Sequence, residues 1–312
     1  MLVVIVFVSA VYYENITEDT IVDDVDLEDI VENEVASNGF NDTENKQETN
    51  HDDENIANNL NDDNTNKIES KLEVVAGSYT SLSNKTNALG FVRKPEGTQP
   101  EFYGPYTKVL DDYEGIYAGN KEEKVIYLTF DEGYENGYTG VILDSLKQKN
   151  VVAVFFVTMP YVKANPDLIK RMIDEGHIVG NHTVNHPSMP EVTSDEKLIE
   201  EIMGLHNYMI ENYNYEMTYL RPPKGEYSER TVKLSLDLGY KTVLWSSAYD
   251  DWNTDNQKGA DYAKKMIYNN LHNGCVLLLH AVSKDNANVL PEVIDEIRSR
   301  GYIFESLDEF EN

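Results

Sequence analysis

The sequence predicts an α/β fold in which parallel strands alternate with helices and curl into a deformed (β/α) barrel of about seven repeats. Three observations support this. Short apolar segments recur from about residue 121 onward with helical patterns between them. Glycines stand at the points where helical patterns give way to strands. Polar residues suited to catalysis follow several different strands. The same sequence predicts a disordered acidic tether ahead of this fold.

The predicted strands are short runs that are apolar on both faces, as expected for buried parallel strands. They cover residues 124–130, 151–157, 178–181, 219–221, 242–245, 275–280 and 302–304.

Helix boundaries separate these runs. Asn165 followed by a proline predicts a helix N-terminus, and the TSDE sequence at 193–196 predicts a capping box. Four glycines are predicted to end helices before strands: Gly176, Gly239, Gly274 and Gly301. Repetition of helix, glycine and apolar strand is typical of a parallel α/β chain. A closed or nearly closed barrel is favoured over a doubly wound sheet because the polar residues follow many strands rather than one switch point.

The N-terminal third differs in composition. Residues 1–13 are almost wholly apolar and predict an export signal or anchor, although no Lys or Arg precedes them; a disordered apolar end is the alternative. The run is too short to predict a stable membrane span. Residues 14–75 are dense in Asp, Glu and Asn and predict a disordered linker. Residues 76–120 are predicted to form an extension that packs on the barrel, and residues 121–312 to form the main domain.

Composition also limits the partners. A formal net charge of -30 argues against nucleic acid and anionic membranes as partners, while a neutral or amino-bearing glycan would not be repelled. The one cysteine, Cys275, lies in an apolar run and is predicted to be buried rather than nucleophilic. We expect a monomer.

Two acidic residues and two histidines suggest a metal-assisted site. Asp131 and Glu132 follow the first predicted barrel strand, and adjacent carboxylates need a compensating cation. His182 and His186 follow the third, four residues apart, so that both imidazoles can reach one ion. Each pair alone has an ordinary structural explanation, and their convergence at one rim is the argument for chemistry.

Further polar residues follow the remaining strands. Arg221 follows the fourth strand and could hold Asp131 ionised, or form only a rim salt bridge. His280 ends the sixth strand, and with Asp251 nearby it could act as an imidazolium acid; alone it would more often be structural. The clustered tyrosines, with Tyr134 among them, and Trp252 could stack on a sugar ring.

Five motifs together resemble the polysaccharide deacetylase family (the NodB homology domain, carbohydrate esterase family four). They are TFDEG at 129–133, HTVNH at 182–186, RPPKG at 221–225, DW at 251–252 and LLH at 278–280. The resemblance covers about 121–312. Further segments are similar to the delta-lactam-biosynthetic de-N-acetylases of spore cortex peptidoglycan: 127–138, 168–172, 174–178, 256–259 and 283–287, with 89–91 and 115–119 upstream.

The resemblance implies a role for each matching residue. Asp131 would be the general base and His280 the general acid, tuned by Arg221 and Asp251 respectively. His182 and His186 would bind a divalent ion, zinc or another. Trp252 and Leu278 would line the acetyl pocket, and the backbone N–H of Lys224 would help hold the oxyanion.

Two positions depart from the family pattern. Glu132 stands where most members carry an aspartate ligand, and its longer side chain could coordinate, act indirectly or fail to bind. Ala248 stands where an additional aspartate is frequent.

The leading hypothesis is therefore an exported enzyme that removes the acetyl group from N-acetylmuramic acid in peptidoglycan strands, on the route to muramic delta-lactam in spore cortex. An N-acetylglucosamine deacetylase acting on peptidoglycan or chitin-like strands is the first alternative. A non-catalytic glycan-binding module is the second.

Overall fold

The computed structural model describes residues 79–95 and 97–310. The predicted signal-like segment 1–13 and acidic linker 14–75 lie outside these residues. In the described part the strands are, in chain order, β1 (Asn87–Ala88), β2 (Phe91–Val92), β3 (Glu101–Phe102), β4 (Val125–Glu132), β5 (Val154–Val157), β6 (Ile178–Asn181), β7 (Tyr219–Leu220), β8 (Glu226–Tyr227), β9 (Lys241–Thr242), β10 (Cys275–His280) and β11 (Ile303–Phe304).

The helices of the same described ranges lie mostly between the barrel strands. They are α1 (Gly104–Asp112), α2 (Thr139–Lys149), α3 (Met159–Ala164), α4 (Pro166–Asp174), α5 (Asp195–Tyr213), α6 (Glu229–Asp237), α7 (Ala260–Asn269) and α8 (Lys284–Ser299). Short 3₁₀ helices cover Met189–Glu191, Pro223–Gly225 and Leu307–Glu309.

The main sheet has seven strands in the order β10-β4-β5-β6-β7-β9, with β11 added on β4. Its paired strands are parallel. The chain beyond β9 returns to β10, the strand at the other end of this order, because Ser247 forms a parallel bridge with Leu277 of β10. The sheet therefore curls into a deformed barrel. Each of the seven predicted strands overlaps an observed one, and the predicted fold class is confirmed.

Alternation along β4 separates two apolar layers. Ile126, Leu128 and Phe130 face the helices in the larger core. Val125 and Tyr127 belong to a smaller core that includes inward residues of the other barrel strands. Residues that follow Tyr127 at a spacing of two therefore share the inner face at the carboxyl end of the strand.

Some local predictions need correction. Pro166 begins α4 as predicted, but the Asn165 side chain donates to the Tyr161 carbonyl and does not cap the helix. The N-cap of α5 is Ser194, whose hydroxyl accepts from the Lys197 N–H, so the predicted capping box is wrong by one residue.

One glycine prediction is also wrong. Gly176, Gly239 and Gly301 follow helix C-termini at positive φ, as predicted. Gly274 lies beyond the end of α7 and faces the extension instead: a Cβ built on it would be 2.4 Å from the carbonyl carbon of Gly119. Close approach of two backbones, rather than helix termination, requires that glycine.

The segment before the barrel contacts the rim strands directly. β1 pairs antiparallel with β8. The Ile116 N–H donates to the Thr242 carbonyl at 2.8 Å, and its carbonyl accepts from the Leu244 N–H at 2.7 Å. These bonds connect the extension to the chain that leads into the predicted site.

One further sequence inference concerns burial. Cys275 is fully buried, as predicted, and burial raises the pKa of its thiol to about 12. None of the helices in residues 79–95 and 97–310 has the length and apolar character needed to cross a bilayer.

Candidate active site

The polar residues predicted at the strand ends lie at one rim of the barrel. Asp131 is the penultimate residue of β4, and His280 is the last residue of β10. The two are register partners on adjacent parallel strands. The loops after β6, β7 and β9 bring the other predicted residues to the same end, because the carboxyl ends of parallel strands share one edge.

Arg221 connects Asp131 to the barrel wall. Its side chain is fully buried, and its Nη1 donates to Asp131 Oδ1 at 2.7 Å. Its Nη2 donates to Thr129 Oγ1 at 2.9 Å and to the Leu244 carbonyl at 3.1 Å, while its Nε donates to the Val243 carbonyl at 3.2 Å. This network fixes the guanidinium and directs one of its donors at Asp131.

These contacts keep Asp131 ionised. Burial raises the pKa of this carboxyl, but the charge of Arg221, with smaller contributions from His182 and His280, outweighs it and lowers the pKa below its ordinary value. Arg221 also stacks on the Phe156 ring, with 4.2 Å from Cζ to the ring centroid. The arrangement gives a buried carboxylate that can accept a proton.

The surroundings of His280 raise its pKa, whereas those of Asp131 lower the pKa of the carboxyl. Its Nδ1 is 2.7 Å from Asp251 Oδ1, and its backbone N–H donates to Asp251 Oδ2 at 2.8 Å. Burial lowers the pKa of the imidazole, but the charge and hydrogen bond of Asp251, assisted by Asp131, raise it above its ordinary value. Because Asp251 occupies Nδ1, the Nε2–H of the imidazolium remains available as a proton donor.

Sequence reasoning did not single out two residues that support this pair. Asn286 Nδ2 donates to Asp251 Oδ2 at 2.6 Å, and the Tyr249 hydroxyl donates to Asn286 Oδ1. Asn286 lies within the 283–287 segment of the family resemblance, which was the available signal. Tyr249 had no distinctive signal among 21 tyrosines.

A compact loop, rather than a helix, presents the two histidines. The Asn181 side chain accepts from the Thr183 N–H at 2.8 Å, and the Thr183 hydroxyl accepts from the His186 N–H at 3.0 Å. Thr183 and His186 have φ values of 69° and 58°. This turn brings the His182 and His186 Nε2 atoms within 3.1 Å of each other.

Hydrogen bonding fixes the tautomer of His182. Its Nδ1 is 2.8 Å from the Arg221 carbonyl, which can only accept, so the proton is on Nδ1 and the Nε2 lone pair faces His186. Burial lowers the pKa of His182. Burial and the neighbouring charge of His182 lower the pKa of His186 to about 4. His182 Nε2 is also 3.6 Å from Asp131 Oδ2. Two neutral imidazoles with convergent nitrogens fit a divalent ion as ligands.

Glu132 lies on the opposite face of β4 from Asp131. It follows Asp131 on β4 and therefore faces the helix layer with Phe130. It is fully buried, and neither carboxylate oxygen has a hydrogen-bond partner. Burial, with the charges of Glu135 and Asp131, raises its pKa well above the ordinary value. Among the residues the structure describes, no group of three His, Cys, Asp or Glu is arranged to hold an ion. The role of Glu132 as third ligand therefore stays a prediction.

The remaining predicted residues lie around the rim. Leu278 is buried on the inner face, two residues before His280, and pairs in register with Thr129. Trp252 and Tyr134 are about half exposed, at 49% and 53%. Lys224 is exposed and lies at φ 60° in the turn after β7.

Comparison with known proteins identifies the family of this chain. Residues 118–243 match the sequence profile of the polysaccharide deacetylase family. The peptidoglycan-N-acetylmuramic acid deacetylase PdaA of Bacillus subtilis (strain 168) is 42% identical over 236 residues, which is 75% of this chain and 89% of that protein. The chain belongs to the polysaccharide deacetylase family.

Other relatives of this polysaccharide deacetylase extend the comparison. A peptidoglycan-N-acetylglucosamine deacetylase of Bacillus cereus is 34% identical over 194 residues, covering 60% of this chain and 88% of that protein. The solved structure of Bacillus subtilis PdaA, a family 4 carbohydrate esterase, superposes with a TM-score of 0.71 at 41% identity, covering 73% of this chain and 98% of that one. The chain is thus a polysaccharide deacetylase hydrolase with the deformed barrel of that family.

Proposed function

We propose that this chain hydrolyses the N-acetyl group of N-acetylmuramic acid in peptidoglycan strands, outside the cell membrane and on the route to muramic delta-lactam in spore cortex. One observation supports hydrolysis above all. A carboxyl whose pKa is lowered, Asp131, and an imidazole whose pKa is raised, His280, are register partners on adjacent strands. Opposite shifts in neighbouring groups assign a base and an acid.

The proposed chemistry uses each group at a stated atom. The Asp131 carboxylate accepts a proton from the attacking water, while Arg221 holds it ionised and oriented. His280 donates its Nε2 proton to the departing nitrogen, which would otherwise leave poorly. Asp251 keeps His280 charged and oriented through Nδ1. The backbone N–H of Lys224 is proposed to stabilise the oxyanion.

Members of this family typically use a metal, and His182 and His186 are the residues that would hold a divalent ion here. Zinc suits two imidazole nitrogens. When bound, the ion supplies Lewis-acid polarisation of the amide carbonyl. With only these two protein ligands, we expect weaker binding than at a three-residue site.

The identity of the sugar rests on the relatives. PdaA, whose name specifies N-acetylmuramic acid, matches three quarters of this chain at 42% identity. The 34% identical relative named for N-acetylglucosamine supports that sugar as the second candidate. We propose that Leu278 on the inner face and Trp252 at the rim contact the acetyl methyl group. We propose that Tyr134 stacks on a sugar ring.

The decisive experiment is digestion of purified glycan strands with and without the enzyme and a chelator, read by mass spectrometry. Loss of 2-amino acetyl groups from muramic acid is the expected result. Loss from glucosamine alone would refute the muramic assignment and favour the second candidate. If the wild type releases no acetate and the Asp131→Asn variant binds glycan as well as the wild type does, the chain is a glycan-binding module instead. Unchanged activity after verified metal removal would refute the role of the ion.

A further inference from the structure

Two short segments lie beside the loop that carries Trp252. Residues 256–259 end that loop, and residues 283–287 form the N-cap and the first turn of α8. The two segments contact each other in the fold, because the Gly259 N–H donates to Asp285 Oδ2 at 2.7 Å. The loop is therefore attached to the beginning of α8.

Gln257 makes most of the hydrogen bonds across this junction. Its Nε2 donates to the carbonyls of Asp251 at 3.1 Å and Asn253 at 2.8 Å, the residues on either side of Trp252. Its Oε1 accepts from the Ser283 hydroxyl at 2.7 Å. The orientation of the amide is thereby fixed, because the reverse orientation would place Oε1 against two carbonyls that can only accept.

Ser283 is a rigid anchor for this amide. Its side chain is fully buried, and its hydroxyl accepts from the Asn286 N–H at 3.2 Å as the N-cap of α8. The helix itself buries Leu290 and Ile294 in the larger core. The Ser283 N–H also donates to the His280 carbonyl at 3.2 Å, so the anchor is fixed relative to the proposed acid.

Trp252 needs support from its backbone because packing holds it only in part. Its side chain is 49% exposed, and residues 251–259 form neither a helix nor a strand. An indole on a mobile backbone loses conformational freedom when it binds a sugar, and that loss weakens the affinity. The two hydrogen bonds from Gln257 restrain the backbone on both sides of the indole before any substrate arrives.

We propose that Gln257 is a positioning residue for substrate binding, which fixes Trp252 as one wall of the acetyl pocket. This inference rests on the proposed function, which assigns Trp252 to the acetyl group. A separate contact from α8 supports the acid, because Asn286 Nδ2 donates to the Asp251 side chain at 2.6 Å. Loss of the Gln257 amide should therefore change KM rather than kcat.

A double-mutant cycle measured by acetate release from glycan strands tests this role. Gln257→Met removes the amide at similar length and should raise KM about three- to tenfold, with kcat within about twofold of wild type. In a Trp252→Ala background the same substitution should raise KM by less than about twofold, because the positioned group is absent. Asn256→Leu replaces an exposed amide of the same loop and is the matched control, expected to change neither constant.

Fluorescence measures the restraint on Trp252 without any substrate. The chain has two tryptophans, so a Trp252→Phe variant isolates the signal of Trp245 and allows it to be subtracted. Time-resolved anisotropy should then show a larger amplitude of fast motion for Trp252 in Gln257→Met than in the wild type. Should Gln257→Met fail to fold, Gln257→Glu replaces it, because it has the same size but lacks the two donors.

Four results would overturn the proposal. Equal anisotropy of Trp252 with and without the Gln257 amide would show that the amide does not restrain the indole. An unreduced KM effect in the Trp252→Ala background, or an equal effect of Asn256→Leu, would show that the effect does not pass through Trp252. A loss in kcat alone would assign Gln257 to the acid instead. Failure of the proposed function is distinguishable, because the wild type would then release no acetate while the anisotropy would still measure the restraint.

Discussion

Replacement of Arg221 by methionine should destabilise the fold chiefly through Asp131. The methionine keeps much of the apolar volume against the Phe156 ring but removes all four side-chain hydrogen bonds that Arg221 makes in the barrel wall. Asp131, only 8% exposed, then loses its buried ion-pair partner. Removal of one partner of a buried ion pair costs about 3–5 kcal/mol. Two carbonyls orphaned at the same time place the expected loss in the upper half of that range.

A double-mutant cycle separates the ion pair from packing. Urea unfolding of the wild type, Arg221→Met, Asp131→Asn and the double variant, followed by circular dichroism, gives each free energy of unfolding. Because Asp131→Asn removes the charge that needs a partner, the double variant should be more stable than the sum of single losses predicts, by about 2 kcal/mol. Additivity within about 0.5 kcal/mol would refute the argument that Arg221 stabilises the fold through Asp131.

The pH dependence of this cycle has a defined sign. The pKa of Asp131 is lowered in the folded protein, so its ionised form stabilises the fold above the ordinary aspartate pKa of 3.8. That stabilisation is lost as the pH falls through the folded value. Without Arg221, the largest contribution that opposes burial is lost, and the Asp131 carboxyl should protonate more readily. The stability difference between wild type and Arg221→Met should therefore be largest at neutral pH and narrow in acid.

Three further predictions concern His280, Glu132 and the turn at Gly225. Asp251→Asn should move the alkaline limb of the kcat/KM–pH profile to lower pH, because the main group that raises the pKa of His280 is lost. Activity at pH 8 should fall about a hundredfold. An alkaline limb that does not move would contradict His280 as the acid. Glu132→Gln should leave zinc affinity in a calorimetric titration within about twofold of wild type, because the Glu132 carboxylate lies on the opposite face of β4 from Asp131. A tenfold loss would identify Glu132 as a ligand. Gly225→Ala should lower the free energy of unfolding, measured in urea titrations, by about 2–4 kcal/mol. The φ of Gly225 is 67°, and the new Cβ would lie 2.6 Å from Trp245. An unchanged free energy of unfolding would show that the turn is not constrained.

Most of the fold was predictable from local sequence, for physical reasons. Strands buried on both faces must be continuously apolar, and the seven observed barrel strands all overlap such runs. Prolines and glycines mark helix ends because they restrict or permit particular φ values, as Gly176 and Gly301 illustrate. Gly274 shows the limit of that reasoning. Its place between a helical pattern and an apolar strand looks like a helix end in the sequence, but the structure shows that a Cβ there would collide with Gly119, which is distant in the chain.

The candidate site divides in the same way. The sequence by itself determined which residue types follow which strands, and in a parallel barrel this brings Asp131, Arg221 and His280 to one rim. Only the tertiary structure decided the direction of each side chain. Successive residues of a strand face opposite sides, so Asp131 points into the barrel while Glu132, one residue later, is buried among the helices. Adjacency in sequence therefore implied a shared site for two carboxylates that the pleat of one strand separates.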